Sequence, residues 1–313
     1  MKISHTKIIL FFISLLSITG IAEGQFFDKS RGKNVMRLIQ SPVIVHATQS
    51  AAFNARLKKA FTDYWKISPF EFYDEGKTYE TEKKESYAVF MPGIIGLNVR
   101  GHETSMNNPF FVFGEARTNG KLADDAFIAV FPINGFHYEF DPKATNYFDR
   151  SALRIPYMVY NLNDMLTYLK DKEKDNGYDD YINAKTARLA KKTLLIPKDL
   201  VTEWDVNPAT TALMKGRVEA GQKDMKEIKA AVLDEGDISY EGKFKVLSNE
   251  EIMKLESGAD AGNYAIFLPA IDNHKYLMAF DLSTKELLYF EKVTMGMRIK
   301  GKDFEKMNKA IGF

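Results

Sequence analysis

Residues 86–92 read SYAVFMP and residues 263–269 read NYAIFLP. A Tyr-Ala-aliphatic-Phe run that stays apolar without alternating belongs to a strand covered on both faces. Parallel strands bridged by helices are the usual arrangement that covers both. Such a strand in each half of the chain, each closed by a proline, calls for two equivalent slots. The surrounding sequence agrees in order: RLIQSPVIV (37–45) and RLAKKTLLI (188–196) set an Arg-Leu pair the same distance ahead of an aliphatic run. Collinear matches of this kind point to an internal repeat, because convergence of two buried strands explains one match but not several in the same order.

The elements between these anchors follow from spacing. After Val43, Ile44 and Val45, the positions Phe53, Leu57, Ala60, Phe61 and Tyr64 recur at three- and four-residue steps, which predicts a helix over 51–65 with one buried face. A short aromatic strand is expected at 69–73, a helix or loop in the charged segment 74–84, and a buried strand at 87–91. The second half offers a strand at 194–196, a helical stretch within 210–233 and a strand at 244–247. There follows LSNEEIMKLESG, with Ser248 or Asn249 as N-cap, Glu251 near the capping-box position, Ile252 and Leu255 on one face, and Gly258 just past the end. Each half then closes in apolar runs, 110–113 with 127–131 and 276–280 with 287–290. In FDLSTKELLYF, Asp281, Ser283 and Thr284 supply the side chains that hydrogen-bond a turn. The expected fold is α/β: two tandem βαβαβ-plus-hairpin three-layer domains with mainly parallel or mixed sheets.

The boundary falls in NLNDMLTYLKDKEKDNGYDDY. Leu162, Met165, Leu166 and Leu169 define a helix beginning near Asn161 or Asn163, and the Asp-Asn-Gly at 175–177 breaks it, giving a first repeat at 25–175 and a second at 176–313. Asp175, Asn176, Gly177, Asp179 and Asp180 are oxygen-rich. A calcium loop with Gly177 at its sixth position would nevertheless need ligands where Lys172 and Lys174 stand, so a solvated linker is expected.

Residues 1–24 read as a secretory signal peptide. Lys2 and Lys7 precede the apolar run 8–16, and Ala22 and Gly24 occupy the small-residue positions before Gln25. The run is too short to span a bilayer, which takes about 20 apolar residues. No later segment reaches that length, so the mature chain is expected to be free of membrane spans. Cleavage removes Lys2, Lys7 and Glu23, and the 43 basic and 42 acidic side chains of the full chain fall to 41 of each. A balanced chain has no basic excess for a phosphate backbone, so nucleic acid is excluded as a partner. With zero cysteines there is no disulfide, thiolate nucleophile, Cys-type zinc site or lipidated N-terminal cysteine.

Catalytic motifs are sparse. PGIIGLNVRG (92–101) has neither the phosphate-loop spacing nor three glycines in dinucleotide register. No Gly-x-Ser-x-Gly elbow or His-Glu-x-x-His helix occurs, and His46, His102, His137 and His274 stand alone in sequence. No metal or cofactor is expected. The most site-like segment is 93–120, which lacks a counterpart of equal length after Pro269. It reads as a loop leaving the carboxyl end of a strand, where α/β sheets place their ligands. Arg100, Asn107 and Asn108 are its ligand-binding candidates, and His102 and Glu103 its acid-base candidates. The many aromatics, Phe70, Phe72, Tyr73, Phe110, Phe111, Phe113, Phe136, Tyr138 and Phe140 among them, read as core and strand-edge packing. Residues 295–313 end in an amphipathic helix, with Phe304, Met307 and Ile311 on one side, that docks on its own domain.

The element order, the leader and the endings NYAIFLP and YLMAFDLSTKELLYF resemble the small α/β domains of Gram-negative envelope proteins, in the manner of the TolB amino-terminal domain and the CsgG-type secretion lipoproteins. The absent lipidation cysteine departs from the CsgG-type pattern. The resemblance implies a periplasmic or secreted protein, a non-catalytic binding or assembly module working through protein or glycan contacts. The alternative is a hydrolase of an envelope polymer acting through 93–120, in which Asp124, Asp125 or Glu139 would meet His102 in one pocket. Oligomeric state is left open by the sequence.

Overall fold

The computed structural model describes residues 39–73 except 41 and 49, 152–172, 177–198, 200, 235–271, 274–294 and 299–313, and the backbone of three strands within 87–132. The expected elements at 74–84 and 210–233, and the residues Phe136, His137, Tyr138, Glu139 and Phe140, lie outside the described residues. The chain divides into two compact units, Met1–Tyr178 and Asp179–Phe313. Both are of mixed α/β type.

In the first unit, β1 (Val43–Val45) leads into helix α1 (Ala51–Tyr64), then β2 (Phe70–Phe72), β3 (Tyr87–Val99), β4 (His102–Ala116) and β5 (Leu122–Pro132). The sheet order is β2-β1-β3-β4-β5. The strands of the β2-β1-β3 part are parallel and those of β3-β4-β5 antiparallel. Helix α1 starts where Ser50 Oγ accepts the Phe53 N–H at 3.1 Å, an N-cap that occupies one of the otherwise orphaned first-turn donors. It buries the predicted stripe of Phe53, Leu57, Ala60 and Phe61. The Phe61 ring meets Phe70 at 5.3 Å and Phe72 at 6.3 Å, which seats the helix on the sheet at β2. Helix α2 (Ile155–Lys172) packs on α1. Arg56 Nε donates to the Ala152 carbonyl at 2.6 Å, and Asn163 Oδ1 accepts the Lys66 and Ile67 N–H groups. This helix begins at Ile155, several residues before the expected start near Asn161 or Asn163, and its first two turns bury Ile155, Tyr157, Met158, Val159 and Leu162.

In the second unit, a short α3 (Tyr178–Asn183) and a 3-10 turn (Thr186–Lys191) precede β6 (Thr193–Pro197). Tyr178 is buried beneath Tyr168, so the expected solvated linker is in part folded. There follow β7 (Phe244–Leu247), α4 (Asn249–Glu256), β8 (Tyr264–Phe267), β9 (Ala270–Ile271), β10 (His274–Asp281), β11 (Leu287–Thr294) and α5 (Gly301–Ile311). The sheet order is β11-β10-β8-β6-β7, with β9 beside β10. The α4 capping box is present: Ser248 Oγ accepts the Glu251 N–H and Glu251 accepts the Ser248 N–H. Helix α5 buries Phe304 and Met307, with the Phe304 ring 4.9 Å from Phe267 of its own unit.

The two sheets share strand order, direction and register. Val43 lies opposite Phe70 and Ala88; Leu194 lies opposite Phe244 and Ala265. Ala88 faces Glu115 and Ala265 faces Asp281 across the next pair. The irregularity of the final hairpin also falls on the same rung: pairing passes from Ala129 to Phe127 in one sheet and from Tyr289 to Leu287 in the other.

Candidate functional site

Shared register locates what differs. Pro92, within β3, and Pro269, just after β8, occupy corresponding positions, and beyond each the chain goes on pairing with the next strand: Gly93 with Phe110 and Ile94 with Pro109, Ala270 with Tyr276 and Ile271 with Lys275. In the second unit the next strand, β10, begins at His274. In the first it continues: Ile95 pairs with Asn108, Gly96 with Asn107, Leu97 with Thr104, Asn98 with Glu103 and Val99 with His102. Residues 95–108 are thus a two-stranded arm added to the tip of a hairpin that both units possess. At about 3.3 Å per residue it projects roughly 17 Å.

Within the segment 93–120, residues 93–99 and 102–116 are therefore paired strands and not the expected loop. Pro92 and three glycines argued against a strand. A proline is tolerated where one side of a strand has no partner, and β1 ends at Val45 opposite Phe90, before Pro92 is reached. His102 and Glu103 begin β4 at the arm's outer end, Asn107 and Asn108 lie on the same strand nearer its base, and Arg100 lies outside the described residues. Asp124 and Asp125 lie on β5 between Leu122, opposite Ala116, and Phe127, opposite Gly114. That is the far end of the 15-residue β4 from His102, a separation of roughly 40 Å. The register keeps these acids and His102 apart.

At the carboxyl ends of β1 and β2 is a residue that the sequence left isolated. His46 leaves β1 at its carboxyl end and stacks on Tyr73, which leaves β2, with ring centroids 4.6 Å apart and planes at 15°. Their backbones are tied where the Tyr73 N–H donates to the Val45 carbonyl at 2.9 Å. Burial lowers the His46 pKa to about 4, so its ring is neutral at pH 7. Tyr73 remains 38% exposed. The loop after His46 is held by Asn54: the Thr48 N–H donates to Asn54 Oδ1 at 2.8 Å, and Asn54 Nδ2 donates to the Thr48 carbonyl at 2.8 Å. Only the partner 27 positions away, Tyr73, makes His46 notable, and sequence periodicity carries no signal for such a pair.

Several charged side chains in the described part of the second unit pair with one another. Asp281 Oδ1 accepts from the Ser283 and Thr284 N–H groups and the Ser283 hydroxyl, closing the predicted turn. Its Oδ2 lies 2.9 Å from Lys192 and 3.3 Å from Arg188. Burial alone would raise the Asp281 pKa, but the bonds from Lys192, Ser283 and Thr284 and the Lys192 charge outweigh it and hold the value at about 2. Glu286 takes Lys185 and Arg188, and its pKa too is pulled down by them against the effect of burial. Lys285, at φ 70° in the turn, reaches the Leu282 carbonyl and Glu256. Lys275 Nζ bonds both Asp303 oxygens, at 2.7 and 2.5 Å, with both residues almost fully buried. These contacts fasten the hairpin and α5 to the sheet.

Among the described residues no set of three or more histidines and carboxylates is placed to hold a metal, and no helix is long and apolar enough to cross a membrane. No protein family, curated protein or solved structure matches the chain.

Proposed function

We propose that the protein is an exported component of the cell envelope, a non-catalytic binding or assembly module in which two repeats of one α/β unit support a contact element grown from the first. The observation that carries this reading is the arm. The two sheets agree rung by rung up to Ile94 and Ile271, and only one continues. An addition that the common plan does not need for folding is free to serve contact with another molecule. The repeat reading rests on the shared order, register and hairpin irregularity. The envelope assignment rests on the leader and on the likeness to TolB- and CsgG-type domains.

The test is a variant in which 95–108 are replaced by the three residues that stand between Ile271 and Lys275. Expressed with its own leader, it is expected to be processed after Gly24 and to keep its far-UV circular dichroism. It should lose the envelope crosslinks made by the parent chain through a photoreactive residue at Tyr73. Turnover of an envelope polymer by the parent chain, abolished in His102→Ala, would replace the binding reading with an enzymatic one.

A further inference from the structure

We draw no further inference here: the strongest candidate, the His46–Tyr73 ring stack at the carboxyl ends of β1 and β2, carries nothing because nothing in the structure shows what would lie against it.

Discussion

The two sheets of this protein are a controlled comparison: the same strand order, register and hairpin irregularity, with different residues in corresponding places. Where the first unit has His46 and Tyr73 at the ends of β1 and β2, the second has Pro197 and Leu247, the pair that its register sets opposite each other. Where the first continues from Ile94 and Pro109 into the arm, the second has Ile271 and Lys275, and Lys275 is spent on the buried bond to Asp303. One hairpin is locked down by ion pairs. The other is extended outward. The common features are what the fold requires, and the arm and the His46–Tyr73 stack are what the first unit adds.

The largest effect should come from the locked side. Lys275→Ala leaves Asp303 buried without its counter-ion, and loss of one partner of such a pair costs about 3–5 kcal/mol. Urea unfolding followed by amide exchange should place that loss in β8, β10 and α5, and equal loss in β1 and β3 would break the comparison. Asp281→Ala comes next: it removes the turn's acceptor and the carboxylate facing Lys192, which keeps its bond to the Gly262 carbonyl, for about 3 kcal/mol by the scale of charge-assisted hydrogen bonds. In the parent chain the Asp281 contribution is present above about pH 4 and is lost as pH falls toward about 2, since its folded pKa lies below the unfolded value.

The first unit should weaken in a different pH window. His46 is held near 4 when folded, against about 6.5 when unfolded. The unfolded chain therefore binds the extra proton between those values, and stability falls on acidification from about pH 6.5 to 4 and then levels off. The size is on the order of 2 kcal/mol after allowance for the ring's partial exposure. His46→Gln should flatten the slope, and a slope that survives the substitution assigns the acid sensitivity elsewhere. The smallest change is Ser248→Ala, which removes the α4 cap and costs about 1 kcal/mol. It sharpens the comparison by setting the scale of a purely local effect, read as faster exchange confined to the first turn of that helix.

Local rules made much of this legible. The α1 stripe, the α4 capping box, the hydrogen-bonded turn at Asp281 and the buried side of α5 all depend on residues within a few positions of one another, where spacing carries the physics. The arm did not, because its apolar run contains Pro92 and glycines that read as breakers until the end of β1 is known. The His46–Tyr73 stack and the Lys275–Asp303 bond did not either, since they join positions 27 and 28 apart across the sheet. The candidates Arg100, His102, Glu103, Asn107 and Asn108 were drawn from the segment that sets the first unit apart, but in a conformation the sequence did not disclose. Of these, His102, Glu103, Asn107 and Asn108 are positions along one strand of a hairpin.

The most direct measurement is residue-resolved amide exchange of the full mature chain. Two equivalent sheets predict slow exchange at both 87–90 and 264–267. Fast exchange at 87–90 beside slow exchange at 264–267 would contradict it.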